Sequence, residues 1–233
     1  MNIHEIVLDD GGMNLLSSEM LVWIGSEVAR LPSCLVAEMD GQPGNLGTRQ
    51  PILVLRSARP GLFAAGADME EMRRFDANHA EEFARLGQET FAAIERLPFV
   101  TIAIIDGDCF GGALDLALAF DLRFATPRSR FSHPGAKLGI VTGFGGTSRW
   151  SKAMTPAAAK QLFLANRVLS AEEALSIGVV DNVGDAFDDE MQRVRELDPR
   201  TTRLLKELTL HGDRLTASQR LLLAARLGHL YDR

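Results

Sequence analysis

The residues best placed to do chemistry are a glycine pair, Gly111-Gly112, with Asp115 close behind it. The pair stands between an apolar run ending in Ile105 and an Ala- and Leu-rich segment, Ala113 to Phe120. Strand, glycine pair, helix is the expected order, and it leaves backbone N–H groups unpaired at the helix start. Glycine there lets a ligand approach the main chain, because no Cβ intervenes. Such a site would stabilise a developing negative charge, with one carboxylate, Asp115, beside it. The plainer reading is a tight turn followed by an acid that favours the helix dipole.

Other candidates surround this centre. The small-residue loop Phe63 to Ala67 runs into Asp68, Met69 and Glu70. His133 carries an imidazole, a side chain suited to a general base, although a histidine before a proline also serves simply in packing. Asp108 reads as a pocket-facing acid or a turn carboxylate. Arg56 and Arg59 read as phosphate binders or as solvated surface groups, and Lys137 as solvated.

The elements that would position these groups follow from periodicity. Ile3 to Leu8 reads as a strand turned by Asp9 to Gly12. Ser17 or Ser18 caps a helix that Pro32 ends, and residues 40–50 form an exposed loop. Ile52 to Leu55 is a buried strand, and residues 80–97 an amphipathic helix stopped by Pro98. Residues 121–125 read as a strand, 130–138 as extended or loop, and 139–146 as a second glycine-rich connection. A helix over about 156–165 is followed by one capped by Ser170 and closed by Gly178, and then by a last strand from Val179 to Val183. The tail from Asp185 reads as helical, with Leu204, Leu205 and Leu208 on one face and Leu221, Leu222, Ala225 and Leu230 on another. This is an α/β core over residues 1–186 with a helical region over 187–233.

Composition narrows the function. The 233 residues carry a net charge of −6, which disfavours a nucleic-acid surface. Cys34 and Cys109 are far apart, in no metal-binding or CxxC spacing, and read as buried thiols in a reducing compartment. The start lacks the pattern of a signal peptide. No uncharged apolar run approaches the roughly 20 residues that span a bilayer. The expectation is a cytoplasmic protein without membrane partners.

Three stretches together resemble the signatures of the crotonase superfamily, which includes enoyl-CoA hydratases and isomerases. They are Phe63 to Asp68, Asp106 to Ala117, and Phe131 to Gly135 with Leu138-Gly139 and Gly145-Gly146-Thr147. Ala171 to Val180 matches the helix and strand that follow in that family. The resemblance implies a ββα spiral core, a C-terminal helical region used for trimerisation, and a homotrimer or homohexamer. It implies an acyl-CoA thioester as substrate, whose carbonyl is gripped by the N–H groups of Ala67 and Gly112 as it becomes an enolate. Ala65, Gly66, Asp68, Met69, Glu70, Gly111, His133 and Gly135 are then expected to line the substrate. No metal or redox cofactor is implied, since coenzyme A is part of the substrate.

Family hydratases hold a water between two glutamates. At the matching positions this chain has Asp115 and Gly135, with no gap between them. Aspartate reaches roughly 1.5 Å less far than glutamate, and glycine does not titrate. General acid–base catalysis contributes typically about 10²–10⁴ per group, so the two-glutamate hydration route is handicapped. The reading is therefore an enoyl-CoA hydratase/isomerase-type enzyme with Asp115 as its single acid/base. The alternatives are an acyl-CoA decarboxylase, a thioester hydrolase, or an acyl-CoA-binding or assembly subunit without catalysis. The chain also ends short of the family's usual length, which implies an acyl end that is more open or is closed by a neighbouring subunit.

Overall fold

Runs of consecutive buried residues, Ile52 to Leu55 and Val100 to Ala103, are what a parallel strand covered on both faces requires. The computed structural model describes residues 3–39, 50–211 and 216. Its first half runs β1 (Ile3–Leu8), α1 (Ser18–Met39), β2 (Ile52–Ser57), β3 (Leu62–Ala64), α2 (Met69–Met72) and α3 (Ala77–Glu95). The centre is β4 (Val100–Ile105), β5 (Asp108–Phe110), α4 (Gly112–Ala117), β6 (Leu122–Ala125), β7 (Arg130–Ser132) and α5 (Gly135–Leu138). Then come α6 (Gly146–Ala153), α7 (Pro156–Phe163), β8 (Leu169–Ser170), α8 (Ala171–Ser176), β9 (Asn182–Val183), α9 (Asp188–Arg195) and α10 (Pro199–His211).

The strands form two sheets. The first has the order β1-β2-β4-β6-β9, all parallel; the second has β3-β5-β7 parallel, with β8 antiparallel at the edge. Each successive pair, β2β3, β4β5 and β6β7, places one strand in each sheet before the next helix begins. That is a ββα coil repeated along an axis, as the resemblance implied. Its corners stack directly: Asp108 N donates to Gly61 O (3.2 Å) and Arg130 N to Gly107 O (3.3 Å). Gly107 N in turn donates to Ser129 Oγ (3.1 Å). Gly107, at φ +103°, has no room for a Cβ, which would overlap the backbone of Gly61 one coil below. Glycine at that corner sets how closely the coils pack.

One core cluster fills the space between the sheets, α1, α3 and α4, centred on Phe63, Phe91, Phe99 and Phe131. A second, containing Ile52, Val54, Val100, Ile102, Phe124 and Phe187, has Met191 and Val194 of α9 packed against it. α10 is held to the sheet end by Lys206, buried, whose Nζ donates to Phe99 O (3.0 Å) and Asp121 Oδ2 (2.7 Å).

Several local expectations change. α1 continues through Pro32 to Met39; a proline removes one bond of the helical ladder, but the strong formers Leu35, Ala37 and Glu38 follow it. Residues 135–138 form a helical turn rather than an extended segment. The tail is two helices interrupted at residues 196–198, and Leu205 is exposed while its neighbour Lys206 is buried. Residues 40–49 of the expected loop, and Leu221, Leu222, Ala225 and Leu230, lie outside the described residues, as does the side chain of Cys34. Gln50 is fully buried. No helix among the described residues is long and apolar enough to cross a membrane.

The corner before β5 carries a pH-dependent contribution. The Arg128 guanidinium, with Thr126, outweighs partial burial and holds the Asp106 carboxyl below its ordinary value of 3.8. A lowered folded-state pKa stabilises the fold above the unfolded value, and this is lost as pH falls through the folded value. Asp106→Asn is therefore expected to be less stable than wild type at pH 6. Denaturant titrations should show that difference shrinking below about pH 4; a constant difference would refute the assignment.

Candidate active site

Strand β3 leads into a loop that crosses the entry to α4. Leu16 bridges it: Leu16 N donates to Gly66 O (2.8 Å) and Asp68 N donates to Leu16 O (3.2 Å). In a parallel bridge of this kind the intervening residue, Ala67, turns its own N–H to the opposite side. That side faces α4. A Cβ on Gly112 would stand 3.5 Å from Ala67 N, and one on Gly66 would stand 3.4 Å from Gly112 N. Gly66 has φ +104° and could carry no side chain, since its Cβ would lie 2.8 Å from Phe110 O. Gly111 N is taken by Ser132 O (2.8 Å). Gly112 N, at the first position of α4, has no acceptor within its helix. Two main-chain donors are thus brought side by side.

Behind them lies Asp115, fully buried. Trp150 Nε1 donates to its Oδ1 (3.1 Å), Thr142 Oγ1 donates to Oδ2, and His133 Nε2 stands 3.7 Å from Oδ2. Gly146 opens α6 against this carboxylate, and a Cβ there would overlap Asp115 Oδ1. Cys109 lies in the same buried region; burial first, then the Asp115 charge, push its thiol well up, so it is neutral. The His133 ring is held edge-on by Trp150 and Phe163, each with centroids 5.1 Å away.

A cavity of about 310 Å³ opens beside the two donors, within the usual size range for small-molecule sites. Ala65, Gly66, Ala67, Met69, Gly111, Gly112, His133 and Gly135 all line it. Met72, Phe75, Phe83, Leu138, Ile140, Val141 and Phe144 make the rest of the wall largely apolar. Asp68, Glu70 and Asp115 stand outside the wall. Asp68 caps α2, accepting from Glu70 N (2.9 Å) and Glu71 N (3.0 Å). Glu70 pairs with Arg73 on the surface. Asp115 is screened from the cavity by its own partners, His133 and Thr142, both of which line it. Among the described residues His133 is the one titratable side chain on the wall. Asp108 pairs with Arg130 (2.7 Å), Arg56 with Glu5 (2.9 Å), and Arg59 donates to Gly12 O.

The sequence singled out neither Thr142 nor Trp150 nor Phe144. All three come from the 139–146 connection and α6, and Phe144 packs its ring edge on Gly112, 2.9 Å from where a Cβ would be. Arg149 holds that connection in place, donating to Phe144 O (2.7 Å) and Glu95 Oε2 (2.7 Å).

Gly135 is not merely an absent glutamate. A Cβ there would stand 2.6 Å from Ile140 O and 3.1 Å from both Cε1 and Nδ1 of His133. The space is taken by backbone and by an imidazole. Gly135→Glu is therefore expected to destabilise the chain by about 1–3 kcal/mol and to confer no water addition to an enoyl-CoA. Denaturant titration and hydration assays check this; a stable variant with gained hydratase activity would refute it.

The sequence model described as enoyl-CoA hydratase/isomerase matches residues 49–220. A crotonyl-CoA hydratase of Syntrophomonas wolfei is 39% identical over 132 residues, which are 57% of this chain and 51% of that protein. An enoyl-CoA isomerase/hydratase of Mycosarcoma maydis is 34% identical over 183 residues, 78% of this chain and 65% of that protein. The chain spans about half the length of the curated relatives it matches. A crystal structure of an enoyl-CoA hydratase from Bacillus anthracis matches with a TM-score of 0.80 at 25% identity, covering 98% of this chain and 86% of that one.

Proposed function

We propose, because this chain belongs to the enoyl-CoA hydratase/isomerase family, that it binds an acyl-CoA thioester and stabilises its enolate between Ala67 N–H and Gly112 N–H. The observation that carries this reading is the pair of adjacent main-chain donors, neither used by its own element, at the edge of an apolar cavity. Donors fixed in advance where charge develops are the largest contribution in many such reactions. Ala65, Gly66 and Met69 border the thioester; Asp68 and Glu70 hold the segment that runs along the coenzyme A moiety. The thioester itself accepts the electron pair, so the chemistry calls for no metal or redox cofactor.

The acid–base apparatus is the buried group around Asp115. It moves one proton rather than adding water, because the second glutamate's place is closed by Ile140 O and His133. This favours isomerisation: a proton leaves C2 of a 3-enoyl thioester, and one returns at C4 as the double bond shifts. An uncharged acyl chain fits the wall, which carries no Lys or Arg among the described residues; decarboxylation of a malonyl-type thioester would leave its carboxylate without a cation there. The working assembly is a homotrimer or homohexamer, which sedimentation measures.

The test is a panel of enoyl-, dienoyl-, malonyl- and 3-hydroxyacyl-CoA thioesters followed by mass spectrometry, with thermal shift for binding and Asp115→Asn alongside. Turnover of a 3-enoyl thioester, reduced in Asp115→Asn, is the expected result. Binding of no thioester at all would overturn the reading. Binding without any turnover would make the chain a carrier rather than an enzyme.

A further inference from the structure

Asp115 has the right chemistry but the wrong place to touch a substrate. It is fully buried and outside the cavity wall, and its Oδ2 faces two wall residues, Thr142 and His133, of which only His133 titrates. His133 is 6% exposed, and its Nε2 has no hydrogen-bond partner; it faces Asp115 Oδ2 at 3.7 Å. Nδ1 and Cε1 of the ring lie toward Gly135, which lines the cavity together with His133. Trp150 and Phe163 hold the ring so that these two edges cannot exchange freely.

Resting on the thioester reading above, we infer that His133 is the catalytic residue that exchanges the proton with the substrate, and that Asp115 is a positioning residue acting through it. The carboxylate favours the tautomer with the proton on Nε2, which leaves the Nδ1 lone pair, on the Gly135 side, to take a proton. In the first step the C2–H bond of the acyl group breaks, its proton forms a bond to Nδ1, and the electron pair moves into the enolate. The negative charge sits on the thioester oxygen between Ala67 N–H and Gly112 N–H. The imidazolium that results is stabilised by Asp115 at its Nε2 side, and the proton then returns to carbon.

Asp115 on α4 is the carboxylate that faces the ring; Trp150 on α6 and Phe163 on α7 pack on it and carry no charge. Removing the Asp115 charge removes what stabilises the imidazolium formed in this step, so exchange should slow while thioester binding is kept.

Exchange of the C2 protons of butyryl-CoA for deuterium in D₂O, read by mass spectrometry, isolates this step without requiring net turnover. The expected result is exchange of the C2 protons by the wild type. His133→Gln should lose about 10²–10⁴-fold while still binding butyryl-CoA by calorimetry. Asp115→Asn should slow exchange with its butyryl-CoA affinity unchanged, and should add no further loss in the His133→Gln background. His133→Gln exchanging at the wild-type rate, or Asp115→Asn slowing exchange as much without His133 as with it, would overturn the inference. Should His133→Gln fail to fold, His133→Asn takes its place, and exchange by it at the wild-type rate overturns the inference as well. Absence of butyryl-CoA binding would instead count against the thioester reading, and binding without exchange in wild type would remove the enolate step and this inference with it.

Discussion

Ala67→Pro should slow C2 proton exchange of a bound acyl-CoA by about 10²–10³-fold, the cost typical of removing one oxyanion donor. Proline deletes this N–H and puts its own Cδ where the hydrogen was. The bonds that fasten the segment are Leu16 N to Gly66 O and Asp68 N to Leu16 O, and neither uses Ala67 N. Gly66, which precedes it, has no Cβ to meet the proline ring, so the usual restriction before proline is at its weakest. Thermal unfolding should therefore move by only a few degrees while exchange collapses. Gly112 offers no equally clean experiment, because any Cβ there presses on Phe144. A proline variant that folds and exchanges at the wild-type rate would show that the Ala67 N–H does not hold the developing charge, and the enolate proposal would lose its main support.

The parts of this site that the sequence revealed are those set by local backbone demands. Gly66 at φ +104° and Gly111 at φ +56° are positions that side chains rarely tolerate, and both fall in stretches that stood out as glycine-rich beside apolar runs. The first sheet was legible for a similar reason: β2 and β4 are buried on both faces and read as continuous apolar runs. The second sheet was not. β3, β5 and β7 have three residues each, too few for a period of two to register, and they are held by the stacking of one coil on the next. α5 escaped notice likewise, since four residues between a proline and a glycine carry no helical repeat.

Asp115 shows the same division within one residue. Its position in the first turn of α4 was readable, but its environment was not. Thr142 lies 27 residues away in the chain and Trp150 lies 35 away, and nothing in their own neighbourhoods marks them as partners of a carboxylate. The carboxylate's place in the chain was readable, and its contacts were not.

The carboxylate's confinement is best probed from the far side, by Gly146→Ala. In an ordinary helix, alanine is favoured over glycine by about 1 kcal/mol, so a surface argument predicts a slight gain. Here the new Cβ would overlap Asp115 Oδ1, and the carboxylate must leave the positions from which it accepts Trp150 Nε1–H and Thr142 Oγ1–H. Overpacking costs about 1–3 kcal/mol, and a hydrogen bond to a charged group contributes about 1.5–3 kcal/mol. The expected destabilisation is about 3 kcal/mol or more, a fall in Tm of roughly 6–12 °C for a chain of this size. In an Asp115→Ala background the same Cβ meets no carboxylate, so Gly146→Ala should cost little there, and the two substitutions should be strongly non-additive. Trp150 fluorescence should change in Gly146→Ala, with Trp23, remote on α1, as the steady background. If Gly146→Ala is as costly without Asp115 as with it, the collision lies elsewhere in α6, and the carboxylate is not what requires a glycine at that helix start.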